Sequence, residues 1–138
     1  METTWQSRLR DDDIVILDGG TGSELQRRGI AMDEDAWSGV AASTHKGVLR
    51  EIHADYIRAG AEIITTNTFG SSRFVLEAAG LGDEFRKINS LAIEAALEAR
   101  DLVAQDPVAI AGSISCLPPR FDVSAYPDEQ TERDAYRE

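Results

Sequence analysis

Short apolar runs alternate with amphipathic stretches along this chain. Runs rich in apolar and β-branched residues are found near 14–17, 62–66 and 108–112, and each is followed by small polar residues. A continuous run of this kind, without polar alternation, is typical of a parallel strand covered on both faces. The pattern therefore predicts three parallel strands.

Segments whose apolar residues recur at helical spacing lie between these runs. The predicted helices cover residues 23–28, 45–59, 71–79, 83–106 and 128–138. Strands that alternate with helices indicate an α/β fold, with a parallel sheet and helices outside it. Two architectures fit this order: a doubly wound sheet, and the start of a (β/α)₈ barrel, of which three strands are less than half.

Composition narrows the class of protein. The 138 residues are 42% hydrophobic and 28% charged, which suits one globular domain. The net charge of −11 repels phosphate backbones and argues against general nucleic-acid binding. The chain has no apolar run of about 18 residues that would span a membrane, and its polar N-terminus lacks the apolar core of a signal peptide. A cytoplasmic location is predicted.

Glycine-rich polar residues follow all three predicted strands. They occupy 18–22 after the first strand, 66–70 after the second and 112–113 after the third. Ligands of parallel α/β folds bind at the carboxyl ends of the strands. The three segments are therefore expected to share one ligand pocket.

The turn Asp18-Gly19-Gly20 has the chemistry to bind a small zwitterion. Two glycines let backbone N–H groups approach an anion, and the helix that follows presents its positive end. The carboxylate of Asp18 would pair with a cation beside that anion. A tight turn in which Asp18 is only a cap accounts for the same residues, and both interpretations stand.

Three other residues are candidates for the pocket. Asn67 and Thr68 have side chains that can bind a ligand, and they are equally suited to cap the helix that follows. Trp37 lies in an acidic loop, where its face would attract a cationic ligand, although most tryptophans serve only in packing.

The remaining metal-binding and nucleophilic residues give a weaker signal. His45 and His53 are eight positions apart on one predicted helix, too far to share a metal, and both are interpreted as structural. Cys116 is the single cysteine, so it can form neither an internal disulfide nor a zinc site alone. Its role, as a reactive thiol or a bystander, is open.

Five stretches, in order, resemble the homocysteine S-methyltransferase family, which includes betaine-, S-methylmethionine- and folate-dependent enzymes. They are ILDGGTGSEL at 16–25, RRG at 27–29, AWS at 36–38, HADYIRAGAEIITTNTF at 53–69 and AGSI at 111–114. Each stretch is short, but together they cover nearly the whole chain.

This resemblance implies a function and a set of site residues. It implies that the chain is the N-terminal part, about three βα units, of a (β/α)₈ barrel that methylates the thiol of homocysteine to give methionine. Asp18 would hold the amino group of homocysteine, and the amides around Gly19 and Gly20 its carboxylate. Trp37 would lie near a small methyl donor. The substrate-binding residues are expected to be Asp18, Gly19, Gly20, Thr21, Trp37, Asn67 and Thr68.

The resemblance also implies zinc, bound by three cysteines from later in the barrel. None of these cysteines is present, and Cys116 matches none of them. The zinc ligands are therefore expected outside this chain. We expect the 138 residues alone to be inactive, and to fold poorly or self-associate because strand edges are exposed.

Two other functions are consistent with parts of the sequence. A nucleotide- or phosphate-binding α/β domain would use 18–22 as a phosphate loop. That fold normally continues with a hairpin, whereas 23–28 has a helical pattern, and Leu25 breaks the dinucleotide pattern G-x-G-x-x-G. A non-catalytic barrel remnant that serves as an interaction module is the other alternative.

Overall fold

The computed structural model describes residues 5–115 and 118–138 and has a mixed α/β fold. The α-helices are α1 (Trp5–Arg10), α2 (Thr21–Arg27), α3 (Ala41–Thr44), α4 (Lys46–Arg58), α5 (Arg73–Ala78), α6 (Phe85–Val103) and α7 (Glu129–Ala135). The strands are β1 (Ile63–Thr65) and β2 (Ala109–Ala111). Short 3₁₀ turns cover Gly82–Glu84, Pro119–Phe121 and Val123–Ala125. Within the described ranges, no helix is long and apolar enough to cross a membrane.

The two strands pair in parallel, with Ile63 opposite Ala109 and Thr65 opposite Ala111. They correspond to the strands predicted near 62–66 and 108–112, with shorter bounds. Helices α5 and α6 make the crossover between them. Because the strands are parallel, the segments that follow Thr65 and Ala111 meet at the same edge of the sheet.

The strand predicted near 14–17 requires a correction, because the structure reduces it to one parallel bridge between Leu17 and Ile63. Side chains bind the backbone groups that a longer ladder would use. Arg8 donates to the carbonyl of Ile14 at 2.6 Å, and the carboxylate of Glu62 accepts from the N–H of Ile16 at 2.9 Å. The segment lies beside β1, but ion-pairing side chains, not strand pairing, hold its first half.

The burial predicted for this segment is also wrong. Ile14 is 73% exposed, Ile16 48% and Leu17 62%. A continuous apolar run was expected to be covered on both faces. Within the described residues, however, no element covers these side chains.

The core lies between α4 and α6, the most extensively packed pair of elements. Leu49 and Ile52 from α4 meet Ile88 from α6, and all three are fully buried. The buried stripe of α6 otherwise consists of alanines, which let the two helices approach closely. The predicted amphipathic patterns of both helices account for this layer.

The last helix packs back onto the rest of the fold. The carboxylate of Asp128 caps α7 by accepting from the N–H groups of Gln130 and Thr131, each at 3.0 Å. The ring of Phe74 lies 6.3 Å from that of Tyr126 and 6.5 Å from that of Tyr136, so α7 and its approach are held against α5.

Candidate functional site

Asp18 is fixed at the carboxyl end of β1 by three hydrogen bonds. Its N–H donates to the carbonyl of Ile63 at 3.0 Å. Its carboxylate accepts from the N–H of Thr65 at 2.7 Å and from the hydroxyl of Thr65 at 3.0 Å. The carboxylate is half-buried and neutralised by no cation in these contacts, and it retains lone pairs for a further donor.

A second network joins the ends of β1 and β2. The hydroxyl of Thr68 donates to the carbonyl of Ser113 at 2.7 Å and lies 2.8 Å from the hydroxyl of Thr66. The N–H of Thr66 donates to the carbonyl of Ala111 at 2.9 Å. With the contact between Asp18 and the end of β1, this network places all three polar segments at one edge of the sheet.

The glycine turn approaches Tyr56 closely. A Cβ atom on Gly19 would lie 2.8 Å from the Tyr56 hydroxyl, so only glycine fits without displacing the ring. That hydroxyl donates to the carbonyl of Gly20 at 3.3 Å, and burial raises the pKa of Tyr56. Helix α2 then begins at Thr21 with Gly20 as its N-cap residue and without a side-chain cap. Asp18 therefore does not cap α2, and its carboxylate binds Thr65 instead.

Asn67 has a structural role that the sequence did not indicate. Its amide nitrogen donates to the carbonyl of Ser38 at 2.8 Å, and its oxygen accepts from the hydroxyl of Ser38 at 3.2 Å. The residue is buried at 5% exposure. It ties the loop around Ser38 to the end of β1. Neither Asn67 nor Thr68 caps the next helix, because the N-cap residue of α5 is Ser72.

Trp37 lies beside the glycine turn in a strained conformation. A Cβ atom on Gly22 would lie 2.9 Å from its indole ring, so the ring packs directly on the start of α2. The φ angle of Trp37 is +50°, a region that bulky residues rarely occupy. Its backbone exchanges two hydrogen bonds with Asp33, at 2.9 and 3.0 Å. The indole remains 38% exposed.

A cavity of about 80 Å³ opens next to the indole. Its lining includes Trp37 and Phe69, which provide aromatic surface, and Asp33, Asp35 and Arg120. Arg120 was not predicted as a site residue. Nor was Thr65, because its contact with Asp18 joins positions 47 apart in the chain. The only sequence signal for Thr65 was its place at the end of a strand.

A larger cavity of about 850 Å³ lies at the amino ends of the strands, where Trp5, Glu62, Gln105 and Val108 contribute to its wall. It is distant from the polar strand ends. Ligands of parallel α/β folds bind at the carboxyl ends, so the Asp18 network is the candidate site. Of the predicted site residues, Trp37 is the one that also lines the smaller cavity.

Comparisons with known proteins identify the family of the chain. The sequence model of the homocysteine S-methyltransferase family matches residues 15–138. The chain belongs to this family. It is 32% identical over 89 residues to the homocysteine S-methyltransferase YbgG of Bacillus subtilis (strain 168), a match that covers 64% of the chain and 28% of the relative.

Two further matches, one to a sequence and one to a crystal structure, cover more of the chain. Homocysteine S-methyltransferase of Escherichia coli (strain K12) is 31% identical over 112 residues, which are 77% of the chain and 36% of the relative. The crystal structure of the homocysteine methyltransferase MmuM from E. coli, metallated form, superposes with a TM-score of 0.67 at 27% identity and covers 78% of the chain and 40% of that protein. The chain thus spans about a third of the length of its curated relatives.

The described residues of the present chain do not form a metal-binding site. Over 5–115 and 118–138, no group of three or more His, Cys, Asp or Glu side chains is placed to hold one. His45 contacts the hydroxyl of Thr44 at 2.9 Å. His53 is fully buried without a hydrogen-bond partner, and burial lowers its pKa to about 4. Cys116 lies outside the described residues.

Proposed function

We propose that this chain forms the homocysteine-binding part of a homocysteine S-methyltransferase, an enzyme that transfers a methyl group from a small donor to the thiol of homocysteine and gives methionine. The observation that carries the proposal is the convergence of Asp18, Thr65, Thr68 and Ser113 at one edge of the sheet. This edge supplies a carboxylate, hydroxyl groups and a glycine turn to one small site. Family membership and the names of the matched relatives support homocysteine as the ligand.

In this proposal Asp18 binds the ammonium group of homocysteine. Its carboxylate is oriented by the N–H and hydroxyl of Thr65, and accepts a further hydrogen bond from the ligand. The amides of the Gly19-Gly20 turn and the start of α2 at Thr21 take the ligand carboxylate, because N–H groups there lack a side-chain cap. Asn67 contributes indirectly by holding Ser38, next to Trp37.

We also propose that the fold is the first part of a (β/α)₈ barrel. The segment at 14–17, β1 and β2 are neighbours in chain order and run in parallel, as successive barrel strands do. Zinc, which supplies a stabilised thiolate of the substrate in this chemistry, would be held by residues outside this chain. The part proposed for this chain is to bind and orient the amino acid, in the cytoplasm.

The role of Asp18 is tested by measuring binding of L-homocysteine and of its desamino analogue, 4-mercaptobutanoate, by calorimetry. Asp18→Asn should weaken homocysteine binding by roughly ten-fold or more, the size of one lost charge-assisted hydrogen bond. The same substitution should leave the affinity for the analogue unchanged. Asp101→Asn, on the exposed surface of α6, is the matched control and should change neither affinity.

Three results would overturn the proposal. The first is an equal affinity of the unsubstituted chain for homocysteine and the desamino analogue. The second is an equal loss with both ligands after Asp18→Asn. The third is tight binding of ATP or NAD, which would favour the nucleotide-binding alternative.

A further inference from the structure

Arg120 makes a long-range contact that the proposed function does not use. It lies in the 3₁₀ turn Pro119–Phe121, after β2. Its Nε atom is 2.7 Å from Oδ1 of Asp35, a residue 85 positions earlier, and its Nη2 atom is 3.5 Å from Oε2 of Glu34. One guanidinium therefore joins the segment after β2 to the acidic loop that contains Trp37.

The turn that Arg120 grips is internally rigid. The carboxylate of Asp33 accepts from the N–H groups of Asp35 and Ala36, each at 2.8 Å. The backbone of Asp33 also exchanges two hydrogen bonds with that of Trp37. Both side-chain and backbone hydrogen bonds close the turn. A restraint on Asp35, at the apex of the turn, is therefore transmitted to Trp37 at its base.

Backbone strain is found on both sides of this contact. Over the described ranges, the non-glycine residues with positive φ are Asp12, Trp37 and Arg120. Arg120 has φ +54° and Trp37 has φ +50°, and both residues line the cavity of about 80 Å³. Such conformations persist where surrounding contacts hold them in place.

We propose that Arg120 is a positioning residue that clasps the Asp33–Trp37 turn and thereby holds the indole of Trp37 against the cavity. This restraint of the turn by Arg120, called the clasp below, is inferred only from the contacts of Arg120 with Asp35 and Glu34. It rests on the proposed function only in assigning this wall of the cavity to the methyl donor. The competing explanation is an ordinary surface ion pair, whose removal would leave Trp37 unchanged.

Fluorescence of Trp37 separates the two explanations. The chain has two tryptophans, so Trp5→Phe leaves Trp37 as the only tryptophan, whose emission is excited selectively at wavelengths that tyrosine does not absorb. In that background, Arg120→Ala should raise the acrylamide quenching constant of Trp37 roughly two-fold. The effect is modest because a partly exposed ion pair contributes little free energy, so its loss only moderately increases the access of acrylamide to the indole. Arg133→Ala is the control, because the side chain of Arg133 is about as exposed as that of Arg120 and forms its ion pair with Glu129 within α7. It should leave the constant unchanged.

Exchange of the two charges tests the pairing itself. Arg120→Asp alone should increase quenching, and Arg120→Asp combined with Asp35→Arg should return it to the parent value. The clasp is contradicted if Arg120→Ala quenches like the parent, or if the double substitution stays as accessible as Arg120→Asp alone.

A salt titration needs no substitution at the clasp and covers the case in which those variants fail to fold. Raising the salt concentration from about 0.1 M to about 1 M shortens the screening length from about 10 Å to about 3 Å. Quenching of Trp37 should rise with salt, and a constant value would contradict the clasp. Since no substrate is present, these results are independent of whether the chain binds homocysteine.

Discussion

The α4–α6 layer and the segment at 14–17 differ in the burial of their apolar side chains. In the helical layer, Leu49 and Ile88 are fully buried. In the segment, Ile14 and Leu17 are 73% and 62% exposed. The two helices pack their apolar faces against each other, so each covers the apolar side chains of the other. The segment is held by polar contacts and leaves its apolar side chains uncovered. In the proposed barrel, later strands would cover it.

The largest test of this contrast compares two leucine truncations. Leu49→Ala should lower the free energy of unfolding by about 2–5 kcal/mol, because it opens a cavity in a packed core. Leu17→Ala should change it by less than about 0.5 kcal/mol, because the side chain is already in water. Urea denaturation measures both. A large loss at Leu17 would show that the segment is covered in solution.

Acid should weaken the helical layer through His53. Burial lowers its folded pKa to about 4, below the ordinary value of 6.5, so the unfolded chain binds more protons between these values. Above pH 6.5 the titration of His53 does not affect the free energy of unfolding. This free energy falls as the pH drops from 6.5 toward 4. The loss should reach about 3 kcal/mol, at about 1.4 kcal/mol per pH unit.

His53→Leu isolates this effect, because it removes both ring nitrogens while keeping an apolar side chain in the site. Urea midpoints are compared at about pH 7 and about pH 4. The parent chain should lose more stability than His53→Leu over this interval. Equal losses would show that His53 does not remain neutral when buried.

Much of the fold follows from local pattern. The amphipathic spacing predicted α4 and α6, a short β-branched run predicted β1, and a short apolar run predicted β2. The pairing of 14–17 could not be predicted in this way, because side chains distant in sequence decide it: Arg8 and Glu62 form an ion pair across 54 positions and occupy its backbone groups.

The site was predictable to a similar extent. The turn at Asp18 was recognisable because carboxylate and glycines are adjacent, and the structure places it at the strand ends. The partner of Asp18, Thr65, depends on strand pairing, and the contact of Arg120 with Asp35 depends on how two loops meet. The hydrogen bonds of Asn67 to Ser38 likewise join two segments 29 positions apart. No local pattern contains these contacts.

A smaller, local effect on hydrogen exchange is expected near the ion pair of Arg8 and Glu62, beside the segment at 14–17. Arg8 and the N–H of Ile16 both lower the pKa of Glu62, which shows that the charged carboxylate is the form they bind. Glu62→Gln should therefore speed hydrogen exchange at the Ile16 amide. Glu77→Gln, on the exposed face of α5, serves as the control and should not change that rate. Unchanged exchange in both variants would mean that Glu62 does not hold the segment.

The smallest effect on stability is expected from making the segment polar. Ile14→Thr with Leu17→Thr should leave the unfolding free energy nearly unchanged while reducing self-association, because it removes exposed apolar surface. Sedimentation velocity measures the association. Leu102→Thr, at a position 63% exposed on α6, is the control. If Leu102→Thr reduces association equally, the segment is not the surface through which copies meet.

Titration of the ¹⁵N-labelled chain with L-homocysteine, followed by amide chemical shifts, is the most direct test that the polar strand ends bind an amino acid. The amides of Gly19, Gly20 and Thr65 should shift together and saturate at one ligand concentration. Shifts confined to the amino ends of the strands, around Glu62 and Gln105, would contradict binding at the polar strand ends, as would no shift at all.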